Sequence, residues 1–256
     1  MMLTDSHIHL YSKDFDNDLN TVLDQAKKNK INRFLLPNID STSLPKLLSL
    51  CEKYTNLHPM IGLHPCSVKE NYLSEIELLY HNIKQHNFVA IGEVGIDLYW
   101  DKSFFEQQKH AFKLQINFGE KHNLPIIIHS RNSFNDVFKI IHDEKSSQMT
   151  GIFHCFSGTY EEAKKIIDLG FYLGIGGVLT FKNSDLKNIL KKINLKHIVL
   201  ETDAPYLAPH PFRGKRNEPK FLTIIANQIA EIKNTTLEDV AQITNDNINK
   251  IFFNEL

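Results

Sequence analysis

A single (β/α)8 barrel of the TIM type over residues 1–256 is predicted by three observations. Short apolar runs recur along the whole chain, longer amphipathic stretches separate them, and the runs number eight within 256 residues. Barrel strands are covered on both faces, so they read as continuous apolar runs and not as strict alternation. The first run lies near Leu3. The others are "INRFLLPN", "LHPMIGLHP", "NFVAIGEVGID", "LPIIIHSR", "TGIFHCFSG", "GFYLGIGG" and "KHIVLETDAP".

Between the runs, "DLNTVLDQAKKN", "SFFEQQKHAFKLQINFGEKHN" and "EEAKKIIDLG" place apolar residues three and four apart with charges between them, the period of a helix with one buried face. An open doubly wound sheet has the same rhythm, but the glycine-rich phosphate loop it often carries is absent after the first run. No Gly/Ser-rich or Pro-rich linker divides the chain, so one domain is expected.

Composition narrows the function classes. With 29 basic and 30 acidic residues the net charge is -1, so no global field draws the protein to nucleic acid or to an anionic membrane, and any phosphate recognition is local. The opening "MMLTDSHIHL" lacks the basic and apolar regions of a secretion signal, and no run reaches membrane-spanning length. The expected location is cytoplasmic, with no membrane partner. Cys51, Cys66 and Cys155 are too few and too scattered for a disulfide framework or structural zinc, and are read as free thiols.

In such a barrel the active site is built where the strands end. The first run leads into His7 and His9, whose alternate spacing puts two imidazoles on one face. The third ends in His64, the fourth in Glu93, the fifth in His129, the sixth in His154 and the eighth in Glu201 and Asp203. A lone strand-end histidine such as His129 is ordinary. A carboxylate such as Glu93 or Asp203 at the end of an apolar strand must be paired, metal-bound or protonated. Together these residues form the inventory of a two-metal hydrolase, in which carboxylate and imidazole suit zinc, manganese or magnesium. His7 and His9 would complete one shell with Asp203 and a bridging Glu93. The remaining histidines are read as surface or packing residues, with His210 nearest the mouth.

The motifs "DSHIHL", "GLHPC", "AIGEVGID", "PIIIHSR", "GIFHCFSG", "LETDAPYLAP" and "RGKRNEP" make the chain resemble, from end to end, the TatD-like metal-dependent hydrolases of the amidohydrolase group. The resemblance implies a barrel that acts as a divalent-metal-dependent deoxyribonuclease on single-stranded or frayed DNA. It implies His7, His9, Glu93, His129, His154 and Asp203 as ligands of the metals. Two departures lie outside that set: Cys66 where the family often has a second histidine, and Asn132 where it usually has an acid.

The expected chemistry is attack on a phosphodiester by a metal-activated water, with Asp203 taking the proton and Glu93 bridging. Glu201 either orients a ligating histidine or forms a salt bridge inside the barrel rim. His64, Arg131 and Arg213 are the phosphate candidates, with Lys215 and Arg216 beside them; the competing reading of that basic loop is a solvated one. Tyr99 and Trp100 are suited to stacking on an unpaired base, against packing on the next helix, which is preferred for Trp100. Two further classes stay open: a two-metal hydrolase of a small amide, ester or phosphoester, and a non-catalytic barrel, for which lost ligands would be expected.

Overall fold

The computed structural model describes residues 2–253. Among these, eight parallel strands lie in chain order around one sheet: β1 (Leu3–Asp5), β2 (Ile31–Leu36), β3 (Leu57–Ile61), β4 (Ala90–Asp97), β5 (Ile126–Arg131), β6 (Gly151–Phe153), β7 (Tyr172–Ile175) and β8 (Ile198–Leu200). Helices α1 (Leu19–Lys28), α2 (Leu44–Lys53), α3 (Tyr72–Asn82), α4 (Phe105–His122), α5 (Phe134–Glu144), α6 (Tyr160–Asp168) and α7 (Leu186–Lys192) alternate with the strands, and α8 (Leu222–Lys233) and α9 (Leu237–Phe252) follow the last. The expected (β/α)8 barrel is the fold observed.

Backbone hydrogen bonds close the barrel across the seam. Ser6 N donates to Leu200 O at 2.9 Å, Asp203 N to His7 O at 2.9 Å and His9 N to Ala204 O at 2.8 Å. One expectation needs correction here. The ladder of β1 stops at Asp5, so His7 and His9 are not strand residues. Beyond Asp5 the backbone pairs irregularly with the end of β8 on one side and with Leu35 of β2 on the other, through Ile8 N. The two imidazoles still reach the same mouth.

Local chemistry explains the helix boundaries. α6 and α9 each start with a capping box, Thr159 with Glu162 and Thr236 with Asp239, in which side chain and backbone satisfy each other's orphan donors. α4 ends on Asn123 in the left-handed conformation, which asparagine tolerates. The strand residues sort by the pleat. Phe34, Ile61, Ile91, Ile128, Leu173 and Leu200 pack outward against the helices. Leu35, Met60, Ala90, Ile127, Ile152 and Val199 form a separate inner cluster, sealed by Ile248 and Ile251 of α9. Asn247 fastens that seal by donating to Leu195 O and Ile198 O.

Candidate metal centre

The inner face that is apolar at the start of the strands becomes polar at their ends. Two residues beyond Ile127, Ile152 and Val199 stand His129, His154 and Glu201, on the same face by the period of two. Glu93, on the longest strand and 2% exposed, is the hub of the cluster. Its Oε2 lies 3.1 Å from His7 Nε2 and 4.0 Å from His9 Nε2. Its Oε1 lies 2.6 Å from His129 Nδ1, 2.7 Å from His154 Nε2 and 3.3 Å from His64 Nε2. Asp203, held with a left-handed φ of 57°, brings Oδ1 to 3.4 Å from His9 Nε2 and 3.8 Å from His7 Nε2. Thus all six residues expected to ligate metal converge at one mouth, and His64 joins them.

Glycine makes room for this crowding. A Cβ on Gly174 would stand 2.2 Å from Glu201 Oε2, so a side chain there would expel the carboxylate from the barrel. At Gly95, with φ of 142°, a Cβ would meet His129 O at 2.0 Å. The residue therefore lets β4 approach the strand that carries His129.

The electrostatics follow from burial and from the neighbours. Burial raises the Glu93 carboxyl, but His154, His64 and His7 overcome it and hold the group well below the usual carboxylate range. Asp203 is likewise lowered against burial, by His9, His154 and His7. Burial dominates at His7, whose basicity is lowered. His154 is raised well above an ordinary imidazole, because the Glu93 and Glu201 carboxylates outweigh its burial.

A surrounding layer of hydrogen bonds orients the rings. Tyr11 donates its hydroxyl hydrogen to Pro37 O at 2.6 Å, so it accepts from His9 Nδ1 at 2.9 Å, and the Nε2 lone pair of His9 is left facing Glu93 and Asp203. Asp97 Oδ2 takes His129 Nε2 at 2.9 Å, which turns the Nδ1 lone pair toward Glu93. Burial raises Asp97, but His129 and the Trp100 and Tyr99 amides pull it below its ordinary value. Glu201, fully buried, lies 3.6 Å from His154 Nδ1 and accepts the Cys155 N–H at 2.5 Å. It therefore sits inside the barrel rim, where a single contact with His154 both pairs charge and faces a ligand candidate, so the two expected readings of Glu201 coincide. Asp5, pushed up to about 8 by burial, accepts from Thr202 N and Oγ1 and fixes the turn that carries Asp203.

The donor set fits divalent cations. Three groups could each hold an ion: His7, His9 and Asp203; His64, Glu93 and His129; and His7, His154 and Glu201. His7 Nδ1, His154 Nδ1 and Glu201 Oε2 meet no hydrogen-bond partner among the described residues, although all are buried. Such groups are costly in a purely structural core. Sequence reasoning did not single out Tyr11, Asp5 or Asp97 for these roles. Asp97 carried a signal, being an acid that ends the same apolar run as Glu93.

The substrate candidates divide. Arg131 is exposed at the end of β5, its guanidinium 3.7 Å from the Tyr99 ring centre and 5.5 Å from that of Trp100. Trp100 is 70% exposed, so the preferred expectation that it packs against the next helix does not hold. Its amide is bonded to Asp97 Oδ1 at 3.1 Å. Arg213 stacks on Phe181 at 3.6 Å, and Lys215 is exposed. Arg216 is no phosphate candidate, since it pairs with both Asp18 oxygens and with Glu218, which ties its loop to the start of α1. Cys66 donates its backbone N–H to His64 Nδ1. Asn132 lines a cleft of about 410 Å³ beside His154, with Ser130, Ser133, Asn135, Cys155 and Ser157. His210 is exposed, its backbone N–H bonded to Thr180.

No helix among the described residues is long and apolar enough to cross a membrane. Residues 4–253 match the family model described as TatD related DNase. YabD of Bacillus subtilis, an uncharacterized metal-dependent hydrolase, is 39% identical over 252 residues, covering 98% of this chain and 99% of its own. YcfH of Escherichia coli, described in the same words, is 34% identical over 259 residues, with 98% and 96% covered. The crystal structure of YjjV, a TatD homologue from Escherichia coli, superposes with a TM-score of 0.93 at 26% identity, over 98% of this chain and 97% of that one. The chain belongs to the TatD-related DNase family, and its full-length relatives are metal-dependent hydrolases.

Proposed function

We propose that this metal-dependent hydrolase of the TatD family is a deoxyribonuclease that cleaves phosphodiester bonds of single-stranded or frayed DNA. One observation carries the reading. A buried carboxylate, Glu93, stands among imidazole nitrogens of five histidines, with Asp203 beside two of them, at the open end of the barrel. His7, His9 and Asp203 would hold one divalent cation, His129 and His154 a second, with Glu93 between them; zinc, manganese and magnesium all suit this donor set. Bound there, the cations would supply a water acidified to near neutrality and neutralise charge on the phosphate oxygens.

The chain's own groups do the rest. Asp203 Oδ1, ionised and at the edge of the cluster, takes the proton of the attacking water. Tyr11 and Asp97 keep His9 and His129 in the tautomers that present a lone pair inward. Arg131, Arg213 and His64 receive the phosphate, for which the arginine fork is suited.

The test is metal-dependent cleavage of a single-stranded deoxyoligonucleotide. EDTA is expected to abolish it and manganese, magnesium or zinc to restore it. A panel of small amides, esters and phosphoesters is assayed in parallel. Turnover confined to that panel would replace the nuclease with a small-molecule hydrolase, and undiminished activity after metal removal would end the metal-dependent mechanism.

A further inference from the structure

We propose that Trp100, Tyr99 and Arg131 form a base-stacking platform at the rim of the metal centre, with an unpaired nucleobase lying on the Trp100 ring and its phosphate on the edge of Arg131. The proposal rests on the nucleic-acid reading above and deepens it by naming the part of the substrate that is gripped and the residues that grip it.

Four observations converge on this surface. Trp100 and Tyr99 are 70% and 53% exposed, as is Tyr206 beside His9 at 51%, but only Trp100 and Tyr99 adjoin in sequence and meet edge to face at 4.9 Å, so one ring braces the other. The Arg131 guanidinium, with its N–H groups, lies 3.7 Å over the Tyr99 ring centre, a cation–π contact that holds the charge beside the rings. No acceptor among the described residues takes those N–H groups in a hydrogen bond. The pair is also locked to the metal centre by one carboxylate: Asp97 Oδ1 accepts the Tyr99 and Trp100 amides at 2.8 and 3.1 Å, while Asp97 Oδ2 holds His129.

The occupant follows from this chemistry. An exposed indole with a fixed cation beside it recognises a flat π system that carries a nearby anion, which describes a nucleotide in a single strand. A duplex hides its base faces, so the platform selects unpaired ends. A ring stack reads no base edges, so the grip is indifferent to sequence. Because Asp97 spans both parts, the platform and His129 keep a fixed relation, and the stacked nucleotide is held in register with the reacting phosphate.

Trp100 is the only tryptophan in the chain, so intrinsic fluorescence reports on the platform alone. The metal-loaded protein is titrated with a phosphorothioate-linked oligothymidylate, which resists cleavage, and with an abasic phosphorothioate oligomer of the same length. The expected result is quenching by the first, with the abasic oligomer binding about 5- to 150-fold more weakly by anisotropy of an end label. Trp100→Ala should weaken oligothymidylate binding over the same range, and Trp100→Phe should restore most of it. A merely structural tryptophan would not discriminate base from abasic sugar. Cleavage of an ordinary oligonucleotide is measured beside the titration. Cleavage without base-dependent quenching overturns the platform and leaves the nuclease reading intact. Quenching without cleavage supports the platform and overturns the nuclease. Neither signal overturns both.

Discussion

At the closed end of the barrel Ile127, Ile152 and Val199 pack with Leu35, Met60 and Ala90 beneath Ile248 and Ile251, whereas two residues further along the chain, at or just past the strand ends, His129, His154 and Glu201 crowd around polar neighbours. One end is nearly satisfied, with Asn245 Oδ1 on α9 as its unpartnered buried oxygen. Its apolar side chains are buried, and the Asn247 amide donates to two backbone carbonyls. The other end keeps buried groups without partners, His7 Nδ1, His154 Nδ1 and Glu201 Oε2 among them. A single strand thus serves stability at its start and chemistry at its end, and the stable end is what allows the other to hold groups that no structural core would choose.

If that division is real, substitutions at the two ends should fail in different ways. The largest effect belongs to Asp203. Asp203→Asn keeps size and shape but removes charge and nearly all basicity, so turnover should fall about 10²- to 10⁴-fold. The melt of the metal-free protein should stay near that of the parent. A variant that melts normally and still turns over at the parental rate would strip Asp203 of its role and weaken the contrast.

Ile248→Ala is the mirror experiment. Its side chain is buried in the plug, and its removal leaves a cavity costing about 2–5 kcal/mol, read by denaturant unfolding. Turnover per folded molecule should not change. A loss of turnover without a loss of stability would show that the closed end is coupled to the chemistry.

Asp97→Asn sharpens the comparison within the mouth. The amide oxygen can still accept the Tyr99 and Trp100 N–H groups, but an NH2 facing His129 Nε2 would force the opposite tautomer and put a hydrogen on the nitrogen that faces Glu93. Metal affinity should drop about 10- to 100-fold in a chelator competition, with the fold unperturbed. Unchanged affinity would mean that His129 does not face a cation through Nδ1.

These variants also mark what was legible in the sequence. The eight strands and the convergence of His7, His9, Glu93, His129, His154 and Asp203 were readable because each residue closes an apolar run, although the pleat fixes the direction only of Glu93 and His129, which lie within strands. The end of β1 at Asp5 was not, because a strand stops where its neighbours stop pairing, and β8 lies almost two hundred residues away. Asp97 escaped notice because its partner is set by the register of β4 against β5, which places Asp97 opposite Arg131 and brings it within reach of His129. Arg216 was misread because its choice of Asp18 depends on a contact 198 residues distant. Trp100 was misread because a large apolar ring past a strand end was expected to pack, whereas it is 70% exposed on a loop whose amides are tied to Asp97.

The smallest effect concerns that same Arg216, which belongs to the mouth by sequence and to the scaffold by contact. Asp18 is held below its ordinary carboxylate range chiefly by the bidentate hydrogen bonds from Arg216, with Lys220 adding to the shift. A carboxylate depressed in the folded state lends stability that is fully present above the unfolded value, about 4, and is lost as pH falls through the lower folded value. Asp18 is half exposed to solvent screening, so the pair is worth about 0.2–1 kcal/mol. Asp18→Asn should therefore lower the melting temperature slightly near neutral pH, and the difference from the parent should shrink as pH falls below about 4. Metal-dependent turnover should be unchanged at every pH where the protein is folded. A turnover defect in Asp18→Asn would return Arg216 and its loop to the substrate side of the mouth, and the line between scaffold and chemistry would have to be drawn outside that loop.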